Sequence, residues 1–262
     1  MENNVTDTLF ADVSEFQCPA DSSYTAAGYR VLSFRSNDGS YVDHNFAQNW
    51  EFATAACDRG ELDFFICYYY WRPGQTGVQT HMSLVNGVGG PHPRQVSMID
   101  LETGGNPSSD QSAAVNDEYD QLVTWLGNDL RVIGYGNQGD LRVMWQVASS
   151  PVQVILAGYG GNPDSPNPNL IKLAHQYTDG ASYGDGLPTG APPFGNCDMN
   201  CADGLSVQAF AAAVGLGVSA PPPPPPPPPT ALVSAVLPTD TTILALTDVI
   251  VGQFLGAPAL TV

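Results

Sequence analysis

The stretch Val96-Ser97-Met98-Ile99-Asp100-Leu101-Glu102-Thr103 has the apolar character of a buried strand and ends on two acidic residues. Side chains two residues apart on a strand point to the same face, so Asp100 and Glu102 are predicted to lie side by side. Hydrolysis of a glycosidic bond needs such a pair, with one carboxyl donating a proton while the other stays ionised. The alternative interpretation is a solvated strand end whose acids cap the next turn.

Strand-like runs recur along the chain and are separated by helical or loop segments, a pattern typical of a parallel sheet that is closed or doubly wound. Helix-like apolar spacing appears at 43–59 and 117–126, whereas Gly/Pro-rich loops join the last three strands. We therefore predict an α/β fold, an eight-stranded TIM-like barrel with an incomplete helical layer. The predicted strands are 9–13, 29–34, 63–70, 96–101, 131–135, 152–157, 172–177 and 195–199.

The domain organisation follows from an Ala-rich helical segment at 206–217 and nine consecutive prolines at 221–229. Residues 1–219 are predicted to form the barrel and 220–229 a stiff polyproline linker, on the order of 28 Å long over its nine prolines. Residues 230–262 are uncharged apart from Asp240 and Asp248 and rich in strand-forming residues. So short a segment cannot bury a core, so we expect an attachment or oligomerisation segment, or the start of a truncated module.

The charge balance excludes several classes of partner. Eight Lys and Arg stand against 26 Asp and Glu, a formal net charge of -18. Binding to nucleic acid or to an anionic membrane surface requires a basic patch, so neither is expected. There is no apolar run of 18 residues and no basic segment ahead of an apolar one near the start, so we expect neither membrane insertion nor a signal peptide.

Neither a metal site nor a cofactor site is predicted. None of the four histidines forms a metal-type pair with another ligand. Residues 134–139 read Gly-Tyr-Gly-Asn-Gln-Gly, but the acidic residue that a dinucleotide site requires about 20 residues later is missing.

The acidic residues are expected to converge at one end of the barrel. Asp12 ends the first predicted strand, Asp100 and Glu102 end the fourth, and Asp198 ends the eighth. The first and last strands become neighbours when a barrel closes, which would place Asp12 beside Asp198 and the other two acids across the mouth. Aromatic rings that stack on sugars accompany such carboxylates. The candidate substrate-binding residues are Tyr68, Tyr70, Trp71, Tyr135, Gln176 and Tyr177.

Five blocks, in this order, resemble the glycoside hydrolase family 25 lysozymes (Chalaropsis-type muramidases) over about residues 9–204. Residues 12–17, Asp-Val-Ser-Glu-Phe-Gln, resemble the family's opening D-x-S-x-x-Q, and 41–49 resemble its Y-x-D-x-x-F-x-x-N block. Residues 99–102 match its D-x-E strand, 175–178 its W-Q-Y-S strand and 196–200 its closing D-x-N. Two blocks at the rim, 34–39 and 68–70, depart from the family pattern, which leaves substrate preference open.

The resemblance implies an eight-stranded barrel and assigns roles to the acids. Glu102 would be the general acid, while Asp100, Asp12 and Asp198 would raise its pKa and stabilise positive charge in the transition state. Either Asp198 or Asp100 could also orient the substrate N-acetyl group or a water molecule. The resulting hypothesis is a muramidase that cleaves the β-1,4 bond between N-acetylmuramic acid and N-acetylglucosamine in peptidoglycan.

The absence of a signal peptide and the character of 230–262 favour a phage protein, located in the virion tail or the host cell envelope. Residues 230–262 would then bind copies of themselves or a tail protein. The alternative hypothesis is a catalytically inactive barrel that binds the cell wall as a structural tail-tip protein.

Overall fold

The computed structural model describes residues 7–181, 184 and 186–217, and these contain a closed eight-stranded barrel. The predicted linker at 220–229 and the segment at 230–262 lie outside the described residues. The strands are β1 Leu9–Val13, β2 Val31–Asp38, β3 Tyr41–Val42, β4 Phe64–Tyr70, β5 Gln95–Asp100, β6 Val132–Asn137, β7 Val152–Ala157, β8 Leu170–Thr178, β9 Gly190–Ala191, β10 Gly195–Asn196 and β11 Asp198–Cys201.

The barrel closes in the order β1-β11-β8-β7-β6-β5-β4-β2, and β2 then pairs with β1. Short β3 extends β2, and β9 pairs with β10 as a separate ribbon. Seven barrel strands are parallel, which confirms the predicted closed βα architecture. The last strand differs from the prediction, because β11 runs antiparallel to both β8 and β1.

The predicted last strand at 195–199 is displaced from the observed one, because β11 begins at Asp198 and ends at Cys201. The described residues between β8 and β11 form no helix, and the chain turns back at the rim where β8 ends and runs down again. Asp198 is therefore the first residue of its strand and not near the end of one. It still lies at the rim formed by the carboxyl ends of the parallel strands.

The helical layer is incomplete, as predicted. The helices are α1 Ser22–Ala26, α2 Phe46–Asp58, α3 Gly77–Gly87, α4 Ser112–Leu126, α5 Gln138–Met144 and α6 Val207–Ala213, with a 3-10 turn at Asp129–Arg131. The predicted helices correspond to α2, α4 and α6. Helix α3 has a glycine at each end and buries only a narrow stripe that includes Val78, His81 and Val85, so its sequence pattern is weak.

The core has an inner part within the barrel and two outer parts beneath the helices. Phe10, Ile66, Met98 and Ile133 belong to the inner part, which is closed at its lower end by Phe210 of α6. The ring centroid of Phe210 lies 5.5 Å from that of Phe10. The outer parts lie under α2 and under α3 to α5. Side chains alternate between the inside and the outside of the barrel along each strand. The inward-facing positions above the apolar inner core can therefore be polar.

No helix among the described residues is long and apolar enough to cross a membrane.

Candidate active site

Four acidic side chains gather at the upper end of the barrel. Asp12 on β1 and Asp198 on β11 are direct Cα partners across the strand pair. Asp100 is the last residue of β5, and Glu102 follows two residues later. Burial raises the pKa of each of these acids. The negative charge of another member of the cluster adds to the increase for Asp12, Asp100 and Asp198, whereas for Glu102 the added charge is that of Asp140, which lies outside the cluster. The acids that the sequence placed at three strand ends thus form one cluster.

Burial is the main reason why the first pair holds its protons strongly. It raises the pKa of Asp12 from 3.8 to about 8, with a further increase from the charge of Asp198 and an opposing effect of the Ser33 and Tyr68 hydroxyls. Burial also raises the pKa of Asp198 to about 7, with additional contributions from Asp179 and Glu102. A carboxyl that leaves water loses hydration of its charged form, so its neutral form is favoured.

Asp100 and Glu102 form a second pair, in which each acts on the pKa of the other. Burial, followed by the charges of Glu102 and Asp12, raises the pKa of Asp100 well above its usual range. Burial also raises the pKa of Glu102, while the hydrogen bond with Asp100 and the charge of Arg72 act against that increase. Two carboxyls that interact so closely lose their protons in two steps that belong to the pair and not to either residue. The pair therefore offers one protonated and one ionised carboxyl together.

Two carboxylate oxygens in this cluster make no hydrogen bond within the described part of the chain. They are Asp12 Oδ1 and Asp100 Oδ1, and both are buried. Native proteins rarely leave a buried polar atom unsatisfied, because the lost hydration costs free energy. Their presence at the mouth of a barrel, together with the raised pKa values, makes this cluster a candidate functional site.

Arg35 on β2 is a buried cation that the sequence analysis did not single out. Its Nε lies 3.0 Å from Asp43 Oδ2, and its Nη2 lies 3.3 Å from Glu15 Oε1. The guanidinium also acts on the inner cluster, where it lowers the pKa of Asp100 and neighbours Tyr68. Its position within the otherwise uncharged run Val31 to Ser36 could have identified it from the sequence, because a charge within a strand-like run is unusual. It offsets part of the negative charge of the four acids.

Tyr68, Tyr70, Tyr135 and Gln176 are brought together with the acids. Tyr68 and Tyr135 lie in the inner core, and the charges of Glu102 and Asp100 act on both Tyr70 and Tyr135. Gln176 Oε1 accepts hydrogen bonds from the Tyr135 hydroxyl at 2.6 Å and from the Tyr159 hydroxyl at 2.8 Å. Tyr159 was missed, although an aromatic residue within the Gly/Pro-rich loop Gly158 to Pro166 was a visible signal.

The structure separates Trp71 and Tyr177 from the other candidates. Trp71 is fully buried in the outer core beneath α3 to α5, beside Tyr69. Tyr177 is 4% exposed in the outer core under α2, and its hydroxyl donates to the Pro188 carbonyl at 2.6 Å. Adjacent residues of an extended chain point to opposite faces of the sheet. Trp71 follows the inward-facing Tyr70 and Tyr177 follows the inward-facing Gln176, so both rings point outward. Neither ring has surface to offer a ligand in the mouth.

Within the described residues, no group of three or more His, Cys, Asp or Glu side chains is arranged to hold a metal ion.

Comparison with solved structures shows that this barrel is a known fold. It is similar to a family 25 glycosyl hydrolase from Bacillus anthracis, with a TM-score of 0.59, 15% identity, and coverage of 77% of this chain and 91% of that one. The catalytic domain of endolysin ply40 from bacteriophage P40 of Listeria monocytogenes gives a TM-score of 0.56 and 18% identity, covering 79% and 97% of the two chains. The Clostridium perfringens spore cortex lytic enzyme SleM gives 0.54 and 18%, covering 78% and 69%.

No family model matches the chain. A sequence relative is nevertheless clear, because the chain is 49% identical over 213 residues to the uncharacterized protein Rv3766 of Mycobacterium tuberculosis. That alignment covers 81% of this chain and 75% of the mycobacterial protein. The chain therefore belongs to the same family as Rv3766, and its barrel has the fold of the family 25 glycosyl hydrolases.

Proposed function

We propose that this chain is a peptidoglycan hydrolase, an N-acetylmuramidase that cleaves the β-1,4 bond between N-acetylmuramic acid and N-acetylglucosamine. The observation that carries the proposal is the cluster of Asp12, Asp100, Glu102 and Asp198 at the barrel mouth, in which the pKa of every member is raised. Hydrolysis of a glycosidic bond by a carboxylic acid requires a protonated donor next to a group that remains ionised. The fold shared with an endolysin catalytic domain and a spore cortex lytic enzyme supports the choice of substrate.

Glu102 is proposed as the general acid because of its position relative to Asp100. Asp100 is only 6% exposed, whereas Glu102 lies beyond the strand end and is partly exposed to the mouth. A glycosidic oxygen in the mouth can therefore reach Glu102 more easily. The buried Asp100 would hold a proton and pass it to Glu102 after Glu102 has given its own proton to the glycosidic oxygen.

Asp12 and Asp198 are proposed to stabilise the positive charge that develops on the sugar ring, because that charge in turn favours the ionised form of a neighbouring carboxyl. They are direct Cα partners on β1 and β11, and the charge of Asp198 adds to the raised pKa of the buried Asp12. Tyr68, Tyr70, Tyr135 and Gln176 would line the sugar-binding surface, where the phenol rings can stack on the apolar faces of sugars. The preference for the bond between N-acetylmuramic acid and N-acetylglucosamine is part of this proposal.

Attachment to a phage tail or to further copies of the chain through 230–262 remains a prediction from the sequence, as does the domain division at 219 and 229. The same holds for location in the virion or the host envelope.

Release of soluble muropeptides from isolated peptidoglycan tests the proposed activity. Mass analysis of borohydride-reduced products should show new reducing ends on N-acetylmuramic acid, and the Glu102→Gln variant should release none. New reducing ends on N-acetylglucosamine would replace the muramidase assignment with a glucosaminidase. Binding to peptidoglycan without any release would favour the inactive wall-binding barrel.

A further inference from the structure

The residue after Glu102 is held by a carboxylate from a different strand-helix unit. The Thr103 backbone N–H donates to Asp140 Oδ2 at 3.1 Å, and the Thr103 hydroxyl donates to Asp140 Oδ1 at 2.9 Å. Both oxygens of Asp140 are thus used on one residue. Two hydrogen bonds to a charged acceptor fix position and orientation better than one.

Asp140 is itself held in place by Asn137. The Asn137 side-chain amide donates to Asp140 Oδ2 at 2.7 Å, and the Asn137 side-chain oxygen accepts from the Asp140 backbone N–H at 2.8 Å. This reciprocal pair lies where β6 ends and α5 begins. The carboxylate that binds Thr103 therefore belongs to a rigid junction of the barrel.

A second contact fixes the backbone of Glu102 from its other side. The Asn106 side-chain amide donates to the Glu102 carbonyl at 2.8 Å and to the Trp71 carbonyl at 2.9 Å. The short segment Glu102 to Asn106 follows β5 without regular secondary structure, so these side-chain contacts replace the strand pairing that ends at Asp100. They fix the backbone of the segment that carries the Glu102 carboxyl.

We propose that Asp140 is a positioning residue for Glu102, fixing the segment that carries the Glu102 carboxyl through Thr103 and placing a negative charge beside that carboxyl. The expected effect of Asp140 on catalysis rests on the proposed function, whereas its expected effect on the pKa of Glu102 does not. A general acid must be placed within a fraction of an ångström of its productive position, because a 1 Å error can cost about 100-fold in rate.

The charges around Glu102 come from several elements. Asp140 raises the pKa of Glu102, whereas the charge of Arg72 lowers it. Arg72 is itself paired with Asp38, with Nη2 2.7 Å from Oδ2, which limits its effect. The other ionisable groups that interact with Glu102 are the carboxyls Asp12, Asp100 and Asp198 and the phenols Tyr70, Tyr135 and Tyr159.

Two substitutions separate the charge of Asp140 from its hold on Thr103. Asp140→Asn removes the charge, but its amide oxygen can still accept from the Thr103 N–H while its NH2 group donates to the Thr103 hydroxyl. Thr103→Val keeps shape and backbone N–H but loses the hydroxyl arm, and Thr103→Ser restores that arm. Asp120→Asn, at an exposed position on α4, is the matched control for loss of one negative charge.

The experiment measures the carboxyl titration of Glu102 together with the steady-state kinetics of each full-length variant. The chain has six Glu residues, so 13C-carboxyl labelling of Glu gives six signals, and the Glu102→Gln spectrum assigns the one required. Asp140→Asn should lower the pKa of Glu102 and shift the alkaline fall of kcat to lower pH, while Asp120→Asn should do neither. Thr103→Val should lower kcat about tenfold with KM within about twofold, and Thr103→Ser should recover it.

An unchanged Glu102 titration in Asp140→Asn, or a Thr103→Val variant with the kcat of the parent protein, would overturn the proposal. If the parent protein hydrolyses no peptidoglycan, the muramidase assignment fails. The titration comparison still decides whether Asp140 acts on Glu102, because it needs no turnover.

Discussion

Asp12 on β1 lies directly opposite Asp198 on β11, in register across the antiparallel strand pair that closes the barrel. Directly opposed residues in such a pair have Cα atoms only about 4.5–5.5 Å apart. Two carboxylates at this separation repel each other, and burial adds to the cost of ionising either one. The closure of the barrel thus creates a proton-holding pair beside the pair formed by Asp100 and Glu102.

Replacing Glu102 with glutamine is expected to abolish peptidoglycan hydrolysis and leave the fold intact. The amide has the size of the acid but cannot donate the proton, a contribution of about 100-fold to 10,000-fold. Turbidity loss of isolated peptidoglycan measures the effect, with the exposed Glu51→Gln as control. Asp12→Asn and Asp198→Asn should be milder, and equal complete loss in all three variants would show that the assigned roles are wrong.

The activity should be highest in the mildly acidic range and should decline as pH rises through the raised pKa of the Asp100–Glu102 pair. The reason is that the proposed donor must keep its proton. A profile of kcat/KM against pH tests this expectation. A rate that still increases beyond about pH 9 would exclude a carboxylic acid as the donor.

The free energy of unfolding should decrease as pH rises from about 4 to about 8. Asp12 gives up its proton near 3.8 when unfolded but near 8 when folded, so within this window unfolding releases a proton and higher pH favours it. Asp198 and Glu118, each raised to about 7, act in the same direction. The loss should be on the order of a few kcal/mol.

Chemical denaturation at pH 5 and pH 8 measures this dependence. The Asp12→Asn variant should show a smaller difference between the two pH values, because it stays neutral in both states. Stability that is flat or higher at pH 8 in the parent protein would contradict the raised pKa of Asp12.

Replacing Gln176 with leucine should lower the free energy of unfolding by about 2 kcal/mol, because it removes the acceptor shared by Tyr135 and Tyr159. Tyr159→Phe removes one of the two donors and should cost less. Urea denaturation of both variants compares them. A larger loss in Tyr159→Phe than in Gln176→Leu would mean that the shared acceptor is not the main source of stability.

Deleting residues 221–262 should leave a folded, monomeric protein with full activity on isolated peptidoglycan. The barrel closes within residues 9–201, and α6 covers its lower end before the deleted region begins. Circular dichroism, sedimentation and muropeptide release measure the outcome. An inactive or unfolded truncation would show that the deleted segment packs against the barrel.

Much of the candidate site could be predicted because it depends on local rules. The alternation of apolar residues located the strands, and Asp12, Asp100 and Glu102 were placed at the rim by their positions near strand ends. The same rule of alternation, applied residue by residue, would have assigned Trp71 and Tyr177 to the outer face. That error came from treating neighbouring aromatic residues as one group.

The sequence by itself determined the strand pattern, the eight-stranded barrel and the identity of the acidic residues, because these follow from the order of polar and apolar residues along the chain. Only the tertiary structure decided that β11 runs antiparallel, that Tyr159 reaches Gln176 from a loop, and that Asp140 holds Thr103. Each of these depends on contacts between residues distant in sequence. The raised pKa values belong to the same class, since burial depends on the whole fold around a carboxyl.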